Sequence, residues 1–377
     1  MHRVALIASI ALTTSSPLWV AFSFMAQLVA SVVVSPLVAP WTDTQDRRKV
    51  MVLADLARAL LVPLIPLLGL KYLPLLLVLV FLNEVFNSTF NAAARAVIPD
   101  LVEEKDLDSA NGLTEFAQRF AEVVFLGVAG ALVATIGAAA VFYFDAFTYL
   151  VSAYLLSGLP SLKPAASGKS GYWSRAKQGV GLLLSNPAVR MTVGTLAAAA
   201  SFGAAEATLV VFLALDVLQV GPRGYGIMES VLALGTIVGT IAIGSLSGGM
   251  PREKLFLRGL VGFGLSLALL GLYPVFPVAL AALFISGIFN MAFIIPARSI
   301  VQLNTPPELR ARVFAAYAAV TNIGVMVGMG LAGVLPAWLG LTNVFVLCGL
   351  VVVLVAVVAH LRGGIPAPAV ATVPVKQ

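Results

Sequence analysis

Long apolar runs dominate the chain, and short polar loops separate them. A helix needs about 20 consecutive apolar residues to cross the hydrocarbon core of a membrane. The segment 4–13 is too short for this, because at about 1.5 Å per residue it covers only half of that core. We expect it to be a first helix whose beginning is missing, as from a start codon placed too late. Eleven further segments predict spanning helices: 17–40, 50–70, 73–98, 113–137, 141–159, 189–218, 225–246, 255–275, 278–301, 313–339 and 342–361.

Composition supports this membrane assignment. Hydrophobic residues make up 60% of the 377 residues, charged residues make up 11%, and the mean hydropathy is +1.01. An average soluble domain carries about 25% charged residues. The 23 Lys and Arg residues exceed the 17 Asp and Glu residues, but they form short clusters rather than a continuous basic stripe. We therefore expect the lipid bilayer, and no nucleic acid, as a partner.

Few residues of the types that bind metals or act as nucleophiles are present. Cys348 is the single cysteine, and His2 and His360 are the two histidines. These counts exclude disulfide frameworks, zinc sites and Cys–His nucleophile pairs. We predict no catalytic residues, no metal and no cofactor, so the chain is not expected to be an enzyme.

The distribution of basic residues predicts the topology, because cytoplasmic loops carry an excess of Lys and Arg. Every second loop is basic, and the loops between them hold only Lys71 and Arg223. If the short first segment spans, both termini are cytoplasmic and the protein is a multi-pass protein of the cell (plasma) membrane. We expect a monomer. The basic positions are Arg47, Arg48, Lys49, Lys105, Lys163, Lys169, Arg175, Lys177, Arg190, Arg252, Lys254, Arg310 and Arg312.

A long basic loop and a repeated motif divide the chain into two similar halves. Ala94-Arg95-Ala96 closes one predicted helix, and Ala297-Arg298-Ser299 closes the corresponding helix of the second half. This predicts an all-α polytopic fold of two six-helix bundles, about 12 helices in all, related by parallel duplication. The predicted units are an N-terminal bundle at 1–160, a cytoplasmic central loop at 161–187, a C-terminal bundle at 188–362 and a flexible cytoplasmic tail at 363–377.

Several motifs resemble those of the major facilitator superfamily. The loop from Ser35 to Lys49, with Asp43 and the basic run Arg47-Arg48-Lys49, is similar to the superfamily signature Gly-x-Leu-Ala-Asp-Arg-x-x-Arg-Arg-Lys. The stretch 94–102, followed by Asp106-Leu107 and 110–113, resembles the efflux branch that includes siderophore (enterobactin) and macrolide exporters. Gly224-Tyr225-Gly226 with Gly235 and Gly239 is similar to the eighth helix of that branch.

The resemblance implies a major facilitator fold and secondary active transport by alternating access. It also implies efflux of a small amphiphilic molecule, either a drug or a siderophore-like compound. ATP is not expected as the energy source, because Gly168-Lys169-Ser170 lacks the preceding glycine of a phosphate loop and has Lys163 in its place. Protons are the expected coupling ion, since acidic residues occupy the predicted helices.

Charged side chains within membrane spans are the candidate functional residues. Such groups usually face a bundle interior or a cavity and mark a substrate or ion pathway. We place Asp43, Arg47, Arg48, Asp55 and Arg95 at a cytoplasmic gate, with Asp43 and the two arginines as its latch. The candidates for a substrate or proton cavity are Glu84, Asn87, Asn91, Glu122, Glu206 and Glu229.

The spacing of some of these candidates along the sequence places them on the same face of a helix. Glu84, Asn87, Asn91 and Arg95 follow one another at steps of three or four and so lie on one side of a helix. A hydrogen-bonded seam between helices is the alternative to a cavity wall. Asp55 and Arg58, three apart, are predicted to pair.

Other buried polar residues and glycines give weaker expectations. Glu206 has no cation nearby in the sequence, and desolvation favours the uncharged form of such a carboxyl group, which suits proton coupling. Asp145 and Glu229 are expected near the outer surface, within reach of solvent. Pairs of glycines four apart, Gly235 with Gly239 and Gly324 with Gly328, predict close helix packing.

Two questions remain open at the level of sequence. An apolar cavity with acidic groups suits cationic amphiphiles such as drugs, whereas the siderophore resemblance allows catechol-like anions. A non-transporting receptor or scaffold with a truncated first helix is the alternative to a transporter. A membrane-embedded enzyme has no cluster of catalytic residue types to support it.

Replacing Asp43 tests the predicted latch. We expect Asp43→Asn to lower transport turnover, because it removes the charge that pairs with the arginines, while membrane insertion is unchanged. The measurement is transport rate normalised to the amount of protein in the membrane. Turnover equal to that of the original chain would remove the latch from the mechanism.

Overall fold

The computed structural model describes residues 2–14, 16–34, 45–101, 135–160, 180–246, 250–306, 309–362 and 364–365, together with a few isolated positions between 113 and 133. Within these residues every regular element is helical. The first half contains α1 (His2–Thr14), α2 (Pro17–Val29), α3 (Arg47–Leu64), α4 (Leu73–Leu101) and α5 (Ala138–Ser157). The second half contains α6 (Pro187–Phe212), α7 (Gly221–Leu246), α8 (Arg252–Leu272), α9 (Phe276–Leu303), α10 (Arg310–Val334) and α11 (Leu341–Leu361).

Three of these helices extend through a π-helical turn. Ala30–Val34 continues α2, Ile65–Gly69 continues α3, and Leu213–Val217 continues α6. Pro63 and Pro66 accompany the second of these turns. A proline removes one backbone donor from a helix and commonly coincides with such irregularities.

The predicted spans agree with the helices wherever the structure describes them. In the described part of the chain, nine helices are long and apolar enough to cross a membrane. Segment 17–40 is helical to Val34 and is outside the described residues from position 35 onward. Most of segment 113–137 also lies outside them. Residues 161–179 of the central loop and nearly all of the tail are outside, so the predicted boundaries of the two bundles stay predictions.

Helix starts follow from local chemistry. The Asn186 side chain accepts hydrogen bonds from the backbone N–H groups of Ala188 at 3.0 Å and Val189 at 3.2 Å, and Pro187 occupies the first turn of α6. Asp46 caps α3 in the same way through the N–H of Arg48 at 3.1 Å. Such caps satisfy backbone donors that a helix leaves without partners.

Basic residues in the first turns of α3, α6, α8 and α10 lie at one end of the molecule, which we call the basic end. Arg48, at the start of α3, donates to the carbonyl oxygen of Leu159 after α5, with an Nη1–O distance of 2.9 Å. The Asn186 side chain at the start of α6 donates to the carbonyl oxygen of Asn304 after α9 at 3.1 Å. These contacts align the ends of neighbouring antiparallel helices.

The short first helix is an integral part of the core. Ala5, Leu6, Ile7 and Ala8 are at most 2% exposed, and α1 packs on α2, α5 and α6. The molecule therefore uses this helix structurally despite its length.

Outward-facing surfaces of the helices are apolar. Leu60 is 72% exposed and Tyr154 is 78% exposed. Large apolar side chains in this position are expected where the surrounding medium is lipid rather than water.

The two halves share a core at the end opposite the basic end. One cluster joins residues of α1, α2, α3 and α4 to residues of α6, α7, α8, α9 and α11. An added Cβ at Gly333 of α10 would lie 3.1 Å from the Ala21 side chain and 3.1 Å from the Leu18 backbone, both in α2. At the basic end, the described residues form separate clusters, one within the first half and two within the second.

Glycines permit the closest helix contacts, as the glycine spacing predicts. On α7, a Cβ at Gly235 would meet the carbonyl oxygen of Phe284, and one at Gly239 would lie 2.7 Å from that of Ile288, both on α9. On α10, a Cβ at Gly328 would meet the carbonyl oxygen of Ser201 on α6. Backbones at this distance leave no room for a side chain.

A larger residue in the α7–α9 seam should destabilise the protein. A Cβ at Gly287 would meet the carbonyl oxygen of Leu232 and the amide nitrogen of Thr236, and backbone atoms cannot move aside as side chains do. We expect Gly287→Leu to lower the free energy of unfolding by about 1–3 kcal/mol, as overpacking does. The measurement is thermal unfolding of the purified protein. Gly330→Leu is the control, since nothing lies within 4 Å of its added Cβ, and equal effects of the two changes would contradict the packing argument.

Candidate functional site

A cavity of about 460 Å³ lies in the second half, between α6, α8, α9 and α10. Apolar walls come from Phe263, Phe293 and Met329 among others, and the two phenylalanine rings meet edge to face with centroids 5.3 Å apart. Its polar groups come from six side chains: Glu206, Asn290, Arg298, Tyr317, Thr321 and Asn322. An apolar pocket with a few converging polar groups is the usual form of a small-molecule site.

Glu206 of α6 lines the inner part of this cavity. Its side chain accepts a hydrogen bond from the Ser286 hydroxyl of α9, with a distance of 2.6 Å to Oε1, and the residue is 7% exposed. Glu229 of α7 lies close enough to interact with it electrostatically. No described cation forms an ion pair with Glu206, so a hydroxyl group is its principal polar partner.

Arg298 marks the other end of the cavity. It follows Ser286 on α9 by twelve residues, or about 18 Å along the helix axis. Its guanidinium group donates to the Tyr317 hydroxyl of α10, and the residue is exposed. Within the described ranges it has no acidic partner. The cavity therefore has a cation near the basic end and a carboxyl group deep inside.

The polar stripe predicted on α4 is present as a chain of hydrogen bonds. The Asn87 amide donates to both carboxylate oxygens of Glu84 at 3.2 Å, Ser88 donates to Oε1 at 3.3 Å, and Asn91 donates to the Asn87 oxygen at 3.3 Å. All four residues are half-buried. None of these bonds reaches a second described helix, so the stripe is not a seam between described helices.

Asp55 and Arg58 form the predicted pair, with Oδ1 and Nη1 3.5 Å apart. Arg58 also donates to the Tyr149 hydroxyl of α5 at 2.7 Å, and its guanidinium carbon lies 4.0 Å from the centroid of that ring. Both charged residues are buried, at 1% and 8% exposure. The pair thus joins α3 to α5 within the first half.

The burial of Asp145 differs from what the sequence predicts. It was expected near the outer surface within reach of solvent, but it is 7% exposed and its carboxylate hydrogen-bonds with the Tyr149 hydroxyl. Residues one helical turn apart can meet in this way. Glu229, expected in a similar position, is half-buried near Glu206.

The side chains of three predicted gate and cavity residues cannot be placed. Asp43 and Glu122 lie outside the described residues, and Arg95 is described only by its backbone in α4. Arg47 begins α3 at the basic end. The latch between Asp43, Arg47 and Arg48 stays a prediction.

Sequence reasoning missed the polar residues of α9 and α10. Asn290 and Arg298 are eight apart on α9, as Asn87 and Arg95 are on α4, and α9 corresponds to α4 in the repeat. Applying the α4 spacing to the corresponding helix of the second half would have found Asn290 and Arg298, but not the α10 residues. Among the described residues, no three His, Cys, Asp or Glu side chains converge as a metal site.

The fold, the membrane-spanning helices and the cavity define a polytopic membrane transporter of the major facilitator type. The fold is similar to that of the solved nucleoside transporter NupG, with a TM-score of 0.82 at 12% identity, covering 96% of this chain and 94% of that one. The chain matches the family described as transmembrane secretion effector over residues 1–374. It belongs to that family of the major facilitator superfamily, which confirms the resemblance seen in its motifs.

Similar proteins over much of the chain are transporters. The uncharacterized MFS-type transporter YfiS of Bacillus subtilis is 24% identical, with 91% of this chain and 84% of that protein covered. Macrolide efflux protein A of Streptococcus pyogenes is 22% identical, with coverage of 94% and 90%. The enterobactin exporter EntS of Escherichia coli is 25% identical over 253 residues, with coverage of 67% and 60%.

Removing one member of the Asp55–Arg58 pair should destabilise the first half. Breaking a buried ion pair leaves an uncompensated charge and costs about 3–5 kcal/mol. We expect Asp55→Asn to lower the thermal stability clearly, and Asp55→Asn with Arg58→Gln to lower it less than the sum of the two single changes. The measurement is a double-mutant cycle by thermal unfolding. Additive effects would show that the two side chains are not coupled, and the exposed Asp216→Asn is the control.

Proposed function

We propose that this transporter exports small amphiphilic anions by proton-coupled alternating access. The observation that carries the proposal is the cavity with Arg298 at one end, Glu206 at the other and apolar walls between them. The family supplies the coarser statement, a transporter of small molecules with efflux proteins among its relatives. Substrate charge, coupling ion and direction are the proposed part.

The distribution of packing supports alternating access. Among the described residues, the halves share a core at one end and form separate clusters at the basic end, as expected for a transporter open on one side. Because basic loops face the cytoplasm, we propose that this state is open inward and that both termini are cytoplasmic. The α2–α10 contact at Gly333 would close the outer side. Location in the plasma membrane and function as a monomer are part of the same proposal.

Glu206 is the proposed proton carrier. Burying an ionised carboxylate without a paired cation is costly, and among the described residues Ser286 alone donates a hydrogen bond to it. Rocking of the two halves about the cavity changes its contact with water, so the group can take up a proton on one side and release it on the other. Glu229 and the Glu84 stripe are the proposed further steps of this pathway, with Glu122 as a candidate beside them.

Arg298 favours one of the two substrate classes left open by the sequence. A guanidinium group without an acidic partner among the described residues favours an anionic ligand group, which it can hold by charge-assisted hydrogen bonds. The phenylalanine pair provides surface for an aromatic or apolar body. Catechol-like anions fit this arrangement better than cationic drugs do.

The receptor or scaffold alternative has less support. Its motivating feature was the short first helix, and that helix is packed into the core with residues at most 2% exposed. The relatives are described as transporters.

Changing Glu206 tests the coupling. We expect the chain, expressed in a host that lacks its own pumps, to reduce accumulation of an anionic fluorescent dye, and an uncoupler to abolish that reduction. Glu206→Gln should abolish the response to the proton gradient because it cannot exchange a proton. Glu253→Gln, at the start of α8 and outside the cavity, should leave efflux unchanged. Uncoupler-insensitive efflux by the original chain would refute proton coupling.

Changing Arg298 tests the substrate class separately. Hydrogen bonds to a charged group contribute about 1.5–3 kcal/mol, so Arg298→Gln should lower efflux of the anionic dye about tenfold or more. Efflux of a neutral dye of similar size should change much less. The measurement is initial efflux rate from preloaded cells at equal membrane abundance. Equal losses for both dyes would contradict the proposed anion preference.

A further inference from the structure

A second concave surface lies between α6 and α11 at the basic end. It is a groove of about 450 Å³, which we call the α6–α11 groove. Arg190, in the first turn of α6, and Arg362, just after the end of α11, stand at its mouth. Gly194, Leu354 and Val358 are among the residues of its floor.

The groove is on the outer surface of the second half, away from the cavity between α6, α8, α9 and α10. Gly194 of α6 lines the groove, whereas Leu196 and Ala199 of the same helix line the cavity. At 100° per residue, positions 194 and 196 point to opposite sides of a helix. Leu354 is 57% exposed, so the floor faces the medium around the protein, which for a membrane span is lipid.

The charged residues of the groove lie at one end of it, and its apolar residues extend from there along the membrane normal. From Arg190 to Ala198 on α6, and from Arg362 to Leu354 on α11, the groove runs for eight residues, or about 12 Å. The two arginines therefore lie at the membrane surface, and the lining becomes apolar with depth. An anionic phospholipid has the same order of groups, with its phosphate at the interface and its acyl chains below.

Neither arginine is neutralised by a described carboxylate. Arg190 donates to the carbonyl oxygen of Leu184 at 3.2 Å, and no described ion pair involves Arg362. The floor also has free space, because nothing lies within 4 Å of a Cβ added at Gly194. The groove thus provides two available cations and room for a chain.

We propose that the α6–α11 groove binds one anionic phospholipid, with its phosphate held by Arg190 and Arg362 and an acyl chain lying along Gly194, Leu354 and Val358. Basic pockets between helices at the cytoplasmic side are suited to such headgroups, and each arginine near the surface favours an anionic lipid about fivefold. The site does not depend on the transported substrate.

Competition between lipids tests the proposal. The full-length protein, purified with a mixture of phosphatidylglycerol and phosphatidylcholine of identical acyl chains, is analysed by native mass spectrometry. We expect it to retain phosphatidylglycerol in preference by fivefold or more, with one lipid binding much more tightly than the rest. Arg190→Gln with Arg362→Gln should reduce that preference by at least fivefold. Equal retention of the two lipids by the original chain would overturn the proposal.

A matched control separates this site from general surface charge. Arg252→Gln with Arg258→Gln removes the same charge from exposed positions on α8, at the same end but outside the groove. This control should keep the preference for phosphatidylglycerol, and a loss equal to that of the groove variant would overturn the proposal.

Filling the floor tests the acyl-chain part independently of charge. Gly194→Leu keeps both arginines and meets no atom at its Cβ, so we expect a folded protein that loses the tightly bound lipid. Gly330→Leu, also in open space, should retain it. Inorganic phosphate at the lipid's concentration should not displace the lipid. Displacement by phosphate, or unchanged binding in Gly194→Leu, would contradict a phospholipid site.

Discussion

The hydrocarbon core of a membrane offers no hydrogen-bond partner to a peptide group, and this constraint underlies the whole structure. A chain that crosses it must satisfy its backbone polar groups internally, which helices do. Helices then associate without a hydrophobic driving force between them, so contact depends on close packing. Among the described residues, glycines allow close backbone contact between α7 and α9, between α6 and α10, and between α8 and α11.

The same medium governs what charged side chains can do. Asp55 and Arg58 are compensated by each other and by Tyr149, which suits a structural link between α3 and α5. Glu206 has a hydroxyl donor in place of a cation, which suits a group that changes its protonation. The carboxylates of Asp55 and Glu206 are both buried. The different partners of these two groups are the reason for their different proposed roles.

The repeat seen in the sequence relates polar residues of the first half to polar residues of the second. Asn87 and Arg95 on α4 correspond to Asn290 and Arg298 on α9, and the second pair lines the cavity. One face of one ancestral helix can therefore supply polar groups to both bundles. The two halves also differ: Ile294 stands in the second half where Asn91 stands in the first, so the cavity has an apolar side chain at that position.

The sequence by itself determined the place of most described helices, the superfamily, the Asp55–Arg58 pair and the line of polar groups on α4. All of these depend on local period, on spacing within one helix or on motif, and the membrane enforces that local pattern strictly. Tertiary structure alone decided that Ser286 meets Glu206, that Asp145 is buried beside Tyr149, and that Arg298 and Tyr317 close one cavity. Those contacts join residues that are far apart in the chain or depend on how a helix is rotated against its neighbours, and hydropathy carries no information about that rotation.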